Sequence, residues 1–260
     1  MIKYFFFFYL LLFLFNLKSV GQSLPPIQLD RPDQTECSFI VPKGYIQAEN
    51  GFTYENINED EKAIAYPSTL WKYGLSKKVE FRLITEQITE KQKALTTTGF
   101  AQIKIGFKVN ICQEKGIIPI TSLIVHLTVP SIASQSFRST YYAPSFRFTM
   151  QNTLSKKVSL GYNLGAEWDE LTHKPTYIYT LTTGYALTDK LGSYIEVYGY
   201  LAKNELADHR VDGGFTYLIT NNIMLDISGG FRITSNSPKN YASLGFSYRF
   251  NVLKNKHIRM

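Results

Sequence analysis

Glu80, Arg82 and Glu86 are separated by even numbers of residues, and so are Lys104 and Lys108. In an extended chain alternate side chains share a face, so each set lines one side of its strand. The same parity, read within runs of alternating apolar residues, adds Glu49, His126, Arg147, Glu167, Glu196, Asp212, Asp226, Arg232 and Arg249. Acids and bases gathered on one polar face can do two compatible things. They can line a polar path and set which small solute passes, or pair across neighbouring strands and stiffen the wall. The stripe of Glu80, Arg82 and Glu86 beside Lys104 and Lys108 is where both readings are sharpest.

Other chemistries find no footing. The histidines are His126, His173, His209 and His257. They show no Cys/His metal spacing and no nucleophile elbow, and the chain lacks a Gly-rich phosphate loop. A lipid hydrolase built on a barrel would need a Ser and a His on the lipid side near the outer rim, and no His-x-Ser signature supplies them. No enzyme activity, cofactor or metal is expected. The net charge is +7, but lysines and arginines are scattered with no run longer than two, unlike the basic stripe of a nucleic-acid binder.

The elements that must position these residues are strands. Residues 1–21 read as a signal peptide: Lys3, an apolar run from Tyr4 to Phe15, then Ser19 and Gly21 before the cleavage point. The mature chain is expected to start at Gln22. Downstream, the longest apolar stretch, 116–130, is interrupted by Pro119, Thr121, Ser122 and His126. An exported chain of this kind is soluble or crosses a membrane as a β-barrel. From Gly44 onward the period is two. In 158–168, Val158, Leu160, Tyr162, Leu164, Ala166 and Trp168 alternate with Ser159, Gly161, Asn163, Gly165 and Glu167.

Twelve such segments begin near residues 44, 63, 79, 99, 117, 142, 158, 176, 192, 209, 223 and 241. Each is about the length that a tilted strand needs to cross a bilayer. Tight turns, "SKK" twice, "TDK" and "TNN", with the slightly longer "CQEKG", alternate with longer polar loops at 57–62, 89–98, 130–141, 169–175, 202–208 and 234–240. That alternation is the pattern of an outer-membrane barrel with short periplasmic turns. A β-sandwich also alternates, but here the polar face is rich in glycine and small residues, as suits a closed barrel. Aromatics gather near segment ends, among them Trp71, Tyr73, Trp168, Tyr217 and Phe250. Pro67 predicts a bulge or a shorter second strand.

The segment "LDRPDQTECSFIVPKGYIQAENGF" at 29–52 is similar to the start of outer-membrane transporters associated with the meta-pathway of phenol degradation. The resemblance lies in Asp30–Asp33, in Pro42–Gly44, and in Gln47, Glu49, Gly51 and Phe52. It continues in 116–131, 161–168, 194–199, 209–230 and 245–250. It implies an outer-membrane barrel with a transport role, and an aromatic or hydrophobic solute follows only from the family's name. One departure is the tail after Phe250, 251–260, which adds Lys254, Lys256 and Arg259.

The chain is therefore expected to be all-β: a 12-stranded antiparallel up-and-down barrel over 44–250, with both termini periplasmic. It acts as a passive or gated channel for a small solute; the alternatives are a non-conducting structural or adhesin barrel and, behind that, an outer-membrane lipid hydrolase. Residues 22–43, with four prolines and Asp30, Arg31, Asp33 and Glu36, are either a periplasmic tail or a plug whose charges meet the wall. Cys37 and Cys112 fall at the oxidising periplasmic end, where a disulfide between them is expected. The partners expected are outer-membrane lipid, the barrel-assembly machinery and the solute, not nucleic acid.

Overall fold

A computed structural model describes residues 24–253. The signal peptide, Gln22 and most of the basic tail lie outside the described residues. Thirteen strands are formed: β1 (Tyr45–Asn56), β2 (Glu61–Gly74), β3 (Val79–Gln92), β4 (Leu95–Phe100), β5 (Ile103–Cys112), β6 (Ile120–Val129), β7 (Ala143–Thr153), β8 (Val158–Trp168), β9 (Pro175–Ala186), β10 (Leu191–Ala202), β11 (Asp208–Thr220), β12 (Ile223–Arg232) and β13 (Asn240–Asn251). Twelve of them close a ring. Each pairs antiparallel with its neighbours, β3 passes directly to β5, and β13 returns to β1 through Tyr45↔Asn251 to Asn56↔Asn240. The fold is a closed 12-stranded antiparallel barrel.

The thirteenth strand corrects the fourth predicted segment. Residues 95–100 do not enter the ring. β4 folds back on the outer half of β3, Gln92↔Leu95 to Gln87↔Phe100, and the wall strand begins only at Ile103. The expected loop 89–98 is therefore largely a hairpin, turning at Lys93 with φ 53°. Sequence alone assigns 95–98 to the loop and begins the wall strand at Gly99, because the short break at Ala101–Gln102 between β4 and β5 carries no turn signal of its own. At Pro67 the β2–β3 ladder shifts register between Ala65 and Ser68. β2 nonetheless runs 14 residues, so a bulge, not a shortening, accommodates the proline.

The repeated turns have a local cause. In 75–78, the Ser76 hydroxyl accepts the N–H groups of Lys78 and Val79, both at 3.1 Å. Ser155 does the same for Lys157 and Val158, and Thr188 for Lys190 and Leu191. A hydroxyl that mimics a backbone acceptor closes a tight turn without glycine. These turns share one end of the barrel with the chain ends, where the Val252 N–H donates to the Gly44 carbonyl at 2.9 Å.

Burial is inverted relative to a soluble domain. Phe52, Phe107, Leu164, Ile195, Phe215 and Leu244 are exposed on the outer face, whereas Lys72, Arg82, Lys108, Glu49, Glu80 and Glu196 are almost fully buried. That is the arrangement a wall needs when lipid is outside and polar groups fill the inside.

Candidate functional site

The groups that bury those charges come from residues 24–43, which run through the ring of strands. Asp30 is the hub. Its Oδ2 meets Lys72 Nζ and Arg82 Nη1, each at 2.8 Å, and its Oδ1 meets Lys108 Nζ at 2.9 Å. The Cys37 N–H adds a fourth donor at 2.8 Å. Burial alone would raise this carboxyl's pKa, but Lys108, Lys72 and Arg82 together hold it well below the usual carboxylate range.

The wall partners are braced from behind. Glu49 Oε1 holds Lys72 at 2.5 Å, and Glu49 Oε2 accepts the Asp30 and Arg31 N–H groups. Glu80 holds Arg82 at 3.0 Å and accepts the Val41 N–H. His126 accepts from Arg82 Nε at 3.1 Å.

Four residues beyond Asp30, the segment reaches the opposite wall. Gln34 N–H donates to Glu196 Oε2 at 2.7 Å, and the Thr35 hydroxyl contacts both Glu196 and Thr180. Glu36 turns back to Arg82 Nη2 at 2.5 Å and lies 4.0 Å from Arg147. Burial opposes its ionisation, but Arg82, with Arg147 further off, keeps its pKa low despite the nearby Asp30. Arg31 spans to Asp226 at 3.1 Å and to Ser243 at 2.8 Å.

Glycine makes room for that last pair. A Cβ on Gly51 would stand 2.1 Å from the Arg31 guanidinium, and one on Gly245 would stand 1.9 Å from the Asp226 carboxylate. Gly51 and Gly245 are register partners, so the ion pair lies over a bare patch of wall. At the turn end, Arg249 donates to the Pro25 carbonyl at 2.8 Å.

The inner wall is thus divided. Lys72, Arg82, Lys108 and Arg147 form a basic arc on β2, β3, β5 and β7, and Glu196, Asp212 and Asp226 form an acidic arc on β10, β11 and β12. Asp30 and Glu36 face the first arc and Arg31 faces the second. Asp33 has the wrong sign for its surroundings. Burial and the nearby Asp212 push its carboxyl up to about 8. Beside the segment, a cavity of about 490 Å³ remains on the side of the short turns, lined by Thr35 and Glu36, Gly161, Gly184 and Tyr194, with Lys156, Lys157 and Lys190 at its mouth. A second, of about 130 Å³, lies towards the longer loops between Lys104, Thr128, Ser145 and Glu167.

Of the residues singled out from sequence, Glu49, Glu80, Arg82, Lys108, Arg147, Glu196, Asp226 and Arg249 all contact residues 24–43. His126 touches the network through Arg82. Asp212 accepts from Tyr241. Glu86 and Glu167 are half-buried nearer the outer end, and Lys104 is exposed there. Arg232 does not join the network; it is exposed at the rim and donates to the Ser235 carbonyl. The expected Cys37–Cys112 disulfide does not form: both thiols are free. Cys37 has been carried into the lumen beside Lys108, and the Cys112 thiol turns to the Pro119 carbonyl.

Lys72 was missed by sequence reading. Its signal was its place between the outward Trp71 and Tyr73, obscured by the bulge at Pro67. Among the described residues no histidine ring bonds a serine hydroxyl, and no cluster of His, Cys, Asp or Glu is arranged to hold a metal.

A family model described as "Putative MetA-pathway of phenol degradation" matches residues 29–250. Among solved structures, an outer membrane channel from Pseudomonas putida F1 is similar at TM-score 0.68 and 12% identity, over 85% of this chain and 99% of that one. The NanC porin gives 0.51 at 8% identity, over 78% and 98%. The KdgM porin in complex with disordered oligogalacturonate gives 0.51 at 12%, over 80% and 99%. At these identities the likeness is one of fold. No curated protein matches the chain.

Proposed function

The chain belongs to the phenol-degradation family of barrels, and from that premise we propose that it is an outer-membrane channel for a small solute, closed in the present state by residues 24–43. One observation carries the reading. From Asp30 to Glu36 the closing segment is anchored to the wall by ion pairs and hydrogen bonds, while Ile27 and Val41 are buried on either side of that stretch, and a cavity of about 490 Å³ already lies beside it. Opening therefore needs displacement of the stretch from Asp30 to Glu36, not unfolding of the wall. The outer-membrane setting is supported by the apolar outer face and by the likeness to outer-membrane barrels. An aromatic or hydrophobic solute is supported by the family description alone. The protein passes its solute unchanged; its partners are outer-membrane lipid and the machinery that assembles barrels.

Single-channel recording in planar bilayers tests this. Removing one partner of a buried charge pair costs about 3–5 kcal/mol, so Asp30→Asn should shift segment docking by more than about a hundredfold. The unmodified barrel should be mostly closed with rare openings, and Asp30→Asn mostly open with ohmic steps. Deletion of residues 24–43 should give the same open level. The density of contacts around Asp30 also favours a second reading, a barrel sealed for good that serves as a structural or adhesive element. Folded but silent Asp30→Asn and deletion variants would establish that reading instead.

A further inference from the structure

Resting on that reading, we propose that Lys72, Arg82 and Lys108 form a binding site for a small carboxylate on the barrel wall, that Asp30 occupies it as a tethered ligand, and that free carboxylate solutes open the channel by competing for it. Three observations lead there. First, the donors converge on a carboxylate in particular. Both oxygens of Asp30 are engaged by wall cations, Oδ2 by two and Oδ1 by a third; the Cys37 N–H that also bonds Oδ1 belongs to the segment itself. All three cations are at most 1% exposed.

Second, the site is preorganised by the wall itself. Lys72 is held by Glu49, Arg82 by Glu80 and His126, and Lys108 lies 3.7 Å from Glu80. None of these partners belongs to the segment, so the donors stay in place when Asp30 leaves, and a ligand that replaces it has little ordering to do. Third, the charges do not cancel without the segment. Three cations face two carboxylates, Glu49 and Glu80, a surplus of one. Arg147, which otherwise faces Glu36, raises it to two. That surplus is local to the basic arc, since Glu196, Asp212 and Asp226 line the facing wall, and a local surplus in a cleft draws a counter-ion to the arc itself. Lys104 on the outer side and Lys156, Lys157 and Lys190 on the other give an anion a favourable approach from either mouth.

The test uses Cys37, which is half-buried beside Lys108 and moves with Asp30. Burial pushes its thiol up to about 12 while the segment is docked, so release raises its reactivity steeply. Maleimide labelling of Cys37 is followed in the detergent-solubilised full chain carrying Cys112→Ser. Millimolar benzoate should accelerate labelling saturably, by at least about tenfold. Benzyl alcohol, of similar size but neutral, should not. Asp30→Asn should label fast without benzoate, which keeps the readout valid if labelling of the parent is slow. Equal response to both compounds, or none to benzoate while Asp30→Asn labels fast, overturns the proposal. In bilayers, the open Asp30→Asn channel should prefer anions in a salt gradient, and Lys108→Gln added to it should reduce that preference; a cation-preferring channel overturns it too. Labelling does not depend on conduction, so a silent barrel that still responds to benzoate would sink the channel reading and leave this site standing.

Discussion

Asp33 is the one charge of the closing segment that meets its own sign, and that makes docking sensitive to pH. Asp212 and Glu196 face it from the acidic arc with the Tyr194 hydroxyl, while Arg31 and Arg147 are turned away to Asp226 and to Glu36 and Gln34. Its carboxyl sits at about 8 when docked, against an ordinary 3.8. An acid with a raised pKa docks in its protonated form. Below pH 3.8 it is protonated whether docked or free, and docking carries no penalty. As pH rises towards 8 the free segment ionises and the docked one does not, so docking weakens by at most about tenfold per unit. Above 8 the penalty is constant. Asp30 has the opposite sign, and its contribution is lost only in strong acid, below the usual carboxylate range. The open fraction of the channel should therefore climb between pH 4 and 8. Asp33→Asn should flatten that climb, and an unchanged slope in that variant would assign the pH response to another group.

At the scale of elements, the wall was legible and its occupant was only half so. Alternation in "VSLGYNLGAEW" fixes which side of β8 meets lipid, because period two leaves no other partition once one face is apolar. The four tight turns were legible because a Ser or Thr hydroxyl accepts a backbone N–H within each one. β4 was not, since only pairing decides whether an alternating run joins the ring or folds back on its neighbour. The partners of Asp30 were not legible either. They lie 42, 52 and 78 residues away along the chain, and nothing local encodes which wall charge an entering segment meets. The same ignorance produced the disulfide expectation, which assumed that Cys37 stays at the rim. Function at this scale turns on whether the segment moves against β9. The Thr35 and Thr180 hydroxyls are 2.6 Å apart, close enough that cysteines placed there in a Cys37→Ser, Cys112→Ser chain should cross-link under oxidation. Oxidised channels should stay shut and open on addition of a reductant. Conduction through a fully cross-linked sample would mean that solute passes with the segment in place.

The whole molecule is electrically lopsided. Its short turns carry six lysines, Lys77, Lys78, Lys115, Lys156, Lys157 and Lys190, against Glu114 and Asp189, whereas the longer loops balance five cations with five acids. None of the six lysines has a carboxylate within 4.0 Å among the described residues, so the surplus is presented to solvent. Ring closure keeps this asymmetry rigid, because every wall strand is paired on both edges and the two mouths cannot exchange environments. A soluble polyanion too large to enter should then block the open Asp30→Asn barrel from one side only, the side of the short turns. The block should fade as salt is raised, since exposed charges are screened over about 8 Å at 0.15 M ionic strength and about 3 Å at 1 M. Lys156→Glu, Lys157→Glu and Lys190→Glu together should remove most of the block while the channel still opens and conducts, because these side chains rim the mouth and leave the ladder and the buried cations untouched. Equal block from both sides would locate the dominant anion attraction inside the lumen, at the arc that Asp30 covers, and not at the rim.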